Sequence, residues 1–181
     1  VDGGTLERAN REGFDADLAL EKADAGRLLE ASGDLIHTGP TGTNAVETAL
    51  KLARMVKRRS NIIAFTNGYH GLTMGSLAVT GNDFYRDESY GARNNADSVP
   101  YDGYFGPDVN TIDYLRKFLQ DGSSGIDLPA AVIVETVQGE GGIHVATPEF
   151  LQGLRAACDR YGAALIFDEI QCGMGRTGAL W

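Results

Sequence analysis

The sequence predicts an α/β fold, a mostly parallel sheet with flanking helices. Three short apolar runs, Ile62–Phe65, Ala131–Val134 and Ala164–Phe167, are nearly continuous rather than alternating, the pattern of strands buried on both faces of a parallel sheet. Helical patterns separate them, and strand, helix and strand alternation implies right-handed crossovers that lay helices on the sheet faces. A content of 24 glycines against 5 prolines agrees with a fold built from tight turns and close backbone approaches.

The elements follow in order. Residues 1–36 hold nine acidic and four basic side chains, so much of the acidity sits at the front. Within them Leu18, Leu20, Leu28 and Leu29, among Ala16, Ala19, Ala23 and Ala25, predict a helix over 15–31 with Gly33 as its stop. Gly39, Pro40, Thr41, Gly42 and Thr43 form a turn-rich loop running into a helix over 43–58, whose Ala45, Val46, Ala49, Leu50, Ala53 and Val56 share one stripe. Glu47 and Lys51 pair i,i+4 on its polar side, and Lys57, Arg58 and Arg59 crowd its negative pole. The strand at 62–65 and a short helix around 73–79 come next. Residues 81–109, rich in Gly, Asn, Asp and Tyr, read as a long loop of the kind that is functional or mobile. Helices over 111–119 and 148–161 flank the second strand, and the latter opens on Thr147 as cap and Pro148 in its first turn.

Composition narrows the function. At 43% hydrophobic and 23% charged residues, 181 residues can bury a core. The formal charge of −9 argues against a nucleic-acid or anionic-membrane partner, although a small anion needs only a local site. No run approaches the ~18 apolar residues that span a bilayer. Cys158 and Cys172, in a chain that opens without an apolar signal segment, predict a reduced, cytoplasmic protein. His37, His70 and His144 lack ligand spacing, so no metal site is expected. The sequence has no Gly-Lys-Ser/Thr phosphate loop, no Gly-x-Gly-x-x-Gly opening a helix and no Gly-x-Ser-x-Gly elbow, which removes the main support for ATP, dinucleotide and serine-hydrolase chemistry. A start at Val1 and a stop at Trp181 after a Gly-rich run lead us to expect a piece of something longer.

Ligands of open parallel sheets bind at the carboxyl ends of strands. There the sequence gathers Tyr69, His70 and Gly71 after the first run, Glu135 to Gly142 after the second, and Asp168 to Gly178 after the third. Asp168 and Glu135 each put a carboxylate at the border of the core, where an unpaired charge is costly. Each either meets a cationic or hydrogen-bonding partner or simply caps the following turn. Gly42 and Thr43 offer backbone N–H groups and a hydroxyl to a phosphate, or else Thr43 caps its helix. Tyr69 either faces a planar ligand or packs on the core.

Taken together, Thr41-Gly42-Thr43-Asn44-Ala45-Val46-Glu47, Tyr69-His70-Gly71, Glu135 through Gly142, and Asp168-Glu169-Ile170-Gln171 with Gly175-Arg176-Thr177-Gly178 resemble four motifs of the class III aminotransferases. The resemblance covers about residues 36–181. It implies a fold type I, aspartate-aminotransferase-like protein using pyridoxal 5'-phosphate, with 1–35 an N-terminal helical segment and 36–181 part of the cofactor-binding large domain. By this resemblance Gly42 and Thr43 hold the cofactor phosphate, Tyr69 stacks on the pyridine with His70 beside it, and Ile170 packs on the opposite face. Gln171 reaches the ring hydroxyl, Glu135 supports the site from behind, and Asp168, the catalytic residue, pairs with the protonated ring nitrogen. Glu140 falls at a substrate-side position that can gate a carboxylate-binding arginine.

Residues 38–47, 65–71 and 100–106 look most like the diaminobutyrate:2-oxoglutarate aminotransferases, including the ectoine-pathway enzymes. Two departures are Asp168-Glu169, where Asp-Asp is expected in many ectoine enzymes, and Thr136 in place of the usual Pro. The implied partners are a small-molecule amino donor, glutamate, and a carbonyl acceptor, aspartate 4-semialdehyde, in a homodimer or larger assembly. Lys22, Lys51, Lys57 and Lys117 all lie upstream of where the family carries its Schiff-base lysine, so residues 1–181 alone are expected to be inactive. The alternatives are an ornithine, acetylornithine or 4-aminobutyrate aminotransferase, or a non-catalytic binding domain that kept the fold.

Overall fold

The computed structural model describes Arg11 and residues 42–87 and 94–178. The chain divides into two compact units, Val1–Gly39 and Pro40–Trp181. The helix expected over 15–31 lies outside the described residues.

The second unit is built around a four-stranded parallel sheet. Its elements are α1 (Thr43–Lys57), β1 (Ile62–Phe65), α2 (Met74–Ala78), a 3-10 turn (Asp83–Tyr85), β2 (Ala96–Val99), α3 (Thr111–Gln120), β3 (Ala131–Val134), β4 (Val137–Gln138), β5 (His144–Val145), α4 (Pro148–Tyr161) and β6 (Ala164–Phe167). The strand order is β2-β1-β3-β6, and each pairing is parallel. β4 and β5 form a separate antiparallel hairpin.

Successive residues of a strand face opposite sides, which explains the two cores. Ile62, Ala64, Ala131 and Ile133 face one side, where Val46, Leu50 and Ala53 of α1 cover them. Ile63, Phe65, Val132 and Val134 face the other, against Ile112 and Leu115 of α3 and Phe150 and Leu154 of α4. Both strands are fully buried, as their continuous apolar runs predict. Burying each such Ile, Leu or Phe side chain contributes about 1.5–3 kcal/mol before the entropy of ordering is counted.

Four expectations are corrected. The stretch 81–109 contains β2, whose Ala96-Asp97-Ser98-Val99 has two polar residues because, among the described residues, it lies on the sheet's edge with only Val99 fully buried. The hairpin β4–β5 follows β3 where only a glycine-rich loop was legible. β6 is only half-buried, and Phe167 is 45% exposed, because among the described residues this strand also closes an edge. The helix expected over 43–58 ends at Lys57, since Arg58 turns left-handed at φ 55° and breaks it.

Candidate active site

Residues from four separate segments meet at the carboxyl ends of β1, β3 and β6. A cleft of about 240 Å³ is lined by Gly42, Thr43, Tyr69, His70, Gly71, Glu135, Asp168, Ile170 and Gln171. Every expected cofactor-site residue is among them. Glu140 is not: it is exposed at the rim, its Oε1 3.4 Å from Gln171 Nε2.

One end of the cleft is the start of α1. Gly42 is the N-cap and no side chain caps the helix, so Thr43 stands in the first turn with its hydroxyl uncommitted to capping. The first N–H groups of a helix have no partner within it, and the positive end of the dipole lies there, so this end suits an anion. Two close approaches shape it. A Cβ at Gly42 would run into the Ile170 side chain, and one at Gly71, whose φ is +116°, would overlap the Thr43 side chain.

The other end is acidic and buried. Asp168 continues the β6 ladder, its N–H donating to Val134 O at 2.8 Å. Its buried side chain accepts from His70 Nδ1 on Oδ2 at 2.7 Å and from the Ile170 N–H on Oδ1 at 3.2 Å. An acceptor on Nδ1 fixes the imidazole's tautomer and orientation. His70 is held in turn by its backbone N–H, which donates to Thr80 Oγ1 at 3.0 Å. The turn-capping alternative for Asp168 is thus half right, since it does accept from Ile170, but its other oxygen has the side-chain partner that burial demands.

Glu135, also buried, accepts from the Tyr69 N–H at 3.0 Å and the Gly139 N–H at 3.4 Å. Burial pushes its carboxyl above the usual carboxylate range, with Asp168 adding to the rise; those two hydrogen bonds and the neighbouring His70 offset it only in part. Tyr69 is half-buried, its ring 4.9 Å from that of Tyr85. Burial, Tyr85 and Glu140 push its phenol up. Ile170 is 52% exposed, an unusual state for a β-branched apolar side chain at the mouth of a polar cleft.

Sequence reasoning missed Thr80 and Tyr85. Thr80, 2% exposed, accepts from His70 and donates within the same loop, yet it carries no motif; only a threonine soon after a His-Gly turn could have pointed to it. Tyr85 lay in the stretch read as loop.

The model of the family described as "Aminotransferase class-III" matches residues 11–181. The chain belongs to the class III aminotransferase family. It is 64% identical over 141 residues to the diaminobutyrate–2-oxoglutarate transaminase of Wolinella succinogenes, a match covering 78% of this chain and 33% of that protein. With the protein of the same name from Halalkalibacterium halodurans it shares 46% identity over 181 residues, 94% of this chain and 42% of the other. The chain thus spans about a third to two-fifths of the length of these relatives. Among solved structures, an amine transaminase from an uncultivated Pseudomonas species in its PLP-bound form superposes with a TM-score of 0.70 at 27% identity, covering 99% of this chain and 41% of that one. An ornithine aminotransferase from Toxoplasma gondii gives 0.64 at 30% identity, over 77% and 32%. The class III chain therefore has the fold expected of it, a fold type I α/β domain.

The residues present fit pyridoxal phosphate. A phosphate suits the uncapped start of α1, a positively charged heterocycle suits the buried carboxylate at the far end, and an apolar side chain stands exposed between them. Among the described residues no group of three or more His, Cys, Asp or Glu side chains converges as a metal site would.

Proposed function

We propose that this chain forms the cofactor cradle of a pyridoxal 5'-phosphate-dependent transaminase that moves an amino group from glutamate to aspartate 4-semialdehyde, giving 2,4-diaminobutyrate. The observation that carries it is one cleft with an anion-binding helix start at one end and the Asp168–His70 pair at the other. The substrate assignment draws support from the names of the relatives at 46–64% identity.

When bound, pyridoxal phosphate supplies a ring that accepts the electrons released at the substrate's Cα. The chain's residues prepare for that. Gly42 and Thr43 hold the phosphate, Tyr69 and Ile170 take opposite faces of the ring, and Gln171 serves the ring hydroxyl. Asp168, oriented by His70 and the Ile170 N–H, places negative charge where a protonated ring nitrogen needs it. Glu135 fixes the backbone of Tyr69 from behind, and Glu140 stands at the rim to pair with an arginine when no substrate carboxylate is there. No lysine lines the cleft among the described residues. We read the working form as a cytoplasmic homodimer or larger assembly.

The test uses the full-length protein. Spectral titration with pyridoxal phosphate should saturate, and with diaminobutyrate, ornithine, acetylornithine and 4-aminobutyrate against 2-oxoglutarate, kcat/KM should be highest for diaminobutyrate. Asp168→Asn should retain part of the cofactor affinity and lose on the order of 100-fold or more in kcat. A preference for ornithine would overturn the substrate, and wild-type turnover in Asp168→Asn would overturn the site.

A further inference from the structure

Glu47 reads from sequence as a surface partner of Lys51, and its Oε1 does lie 3.7 Å from Lys51 Nζ. Its other oxygen does something the spacing does not show. Oε2 accepts from Thr73 Oγ1 at 2.5 Å, from the Gly75 N–H at 2.9 Å and from the Ser76 N–H at 3.1 Å. One carboxylate on α1 thereby satisfies the start of α2, where Thr73 is the N-cap but makes no side-chain cap of its own. Burial alone would raise the Glu47 carboxyl, yet the bonds from Thr73, Ser76 and Gly75, with the charge of Lys51, hold it below its usual value.

α2 in turn grips the loop that carries Tyr69 and His70. Thr80 Oγ1, just beyond α2, accepts from the His70 N–H and donates to Gly71 O or Ser76 O, each at 3.0 Å. Gly71 packs against Thr43. Thr43 and Glu47 are four apart on α1, hence on one face of it. The helix that presents the phosphate end of the cleft therefore also holds, through Glu47, the loop that forms its ring end.

We propose that Glu47 is a positioning residue for the cofactor: by clamping α2 to α1 it holds the helix start at Gly42 and Thr43 in register with Tyr69 and His70, so that one ligand meets both ends together. The inference rests on the cofactor reading above. Glu47 does not line the cleft itself, and its removal should tax the ligand that bridges the two ends more than ligands that fill only one. Linking two binding groups in one molecule gains affinity only while the two sites keep their spacing.

The experiment measures dissociation constants of the cofactor-free full-length protein for three probes: pyridoxal phosphate, pyridoxal and inorganic phosphate. In Glu47→Ala, affinity for pyridoxal phosphate should fall about tenfold or more, while pyridoxal and phosphate each change less than about twofold. Glu47→Gln keeps an acceptor oxygen and should recover most of the loss. Unchanged affinity for pyridoxal phosphate in Glu47→Ala would overturn the inference, as would an equal loss for all three probes or a loss confined to phosphate. If Glu47→Ala does not fold, Thr73→Val removes a single donor and must show the same selectivity at smaller size; equal affinities in that variant overturn it too. Failure of the wild type to bind pyridoxal phosphate would instead bring down the cofactor reading, a result the variants cannot mimic.

Discussion

Glu135 spends free energy to stand where it does. Its carboxyl is desolvated, and its pKa is raised from an ordinary 4.5. A raised acid binds its proton more tightly folded than unfolded, so it costs the fold nothing at low pH, and the penalty grows as pH rises through 4.5 toward the folded value. Glu135→Gln keeps an oxygen for the Tyr69 N–H and gives up only the longer contact to Gly139. The variant should match wild-type stability near pH 4, then gain on it as pH rises and hold that gain at neutrality. Urea unfolding at stepped pH measures this, and a variant less stable than wild type at pH 7 would contradict it. Stability sacrificed at a strand end beside Asp168 and His70 is what a site under functional constraint looks like.

The helices obey local rules. Thr147 caps α4: its Oγ1 accepts from the Phe150 N–H at 3.2 Å and donates to Asp102 Oδ2 at 2.7 Å, while Pro148 occupies the first turn. Thr147→Val should therefore cost about 1 kcal/mol, read by denaturant unfolding of the full-length protein. This cap was legible in the sequence because a threonine before Pro148 and an apolar stripe specify it within a few residues. β1 and β3 were legible for the same reason, each being four apolar residues between turns. β2 was not, because an edge strand needs no continuous apolar run and its partner β1 lies some thirty residues away. The cleft was legible only as motifs. That Asp168 answers to His70, 98 positions earlier, and that Thr80 steadies His70, follow from the strand order, which no local pattern encodes.

At the scale of the molecule β2 and β6 are the two outer strands of the sheet among the described residues, and the β6 flank carries exposed apolar surface. β6 sits at an edge with Phe167 exposed, and beside it Leu52 and Val56 of α1 form an apolar groove with Ala164 and Ile166. Unpaired strand edges and uncovered apolar surface draw partners. The 181-residue chain by itself should therefore self-associate and enhance the fluorescence of a hydrophobic dye. A single monomeric species in sedimentation velocity, unfolding cooperatively, would show instead that these residues form a self-sufficient domain.

The cleft has a further property that follows from its span, since Gly42 opens it and Gln171 closes it. On a ribosome adding ~5–20 residues per second, the first wall exists roughly 6–26 s before the last, and α1 must wait for β3 and β6 to cover the sheet beneath it. No cofactor can pull the early chain toward its fold, because the pieces that would grip it have not been made. Once every segment that lines the cleft is made the balance changes: a ligand at 100 times its dissociation constant adds about 2.7 kcal/mol to the folded state. Cofactor supply thus acts on how long the completed protein lasts, and leaves the vulnerable interval of its synthesis to the sequence alone.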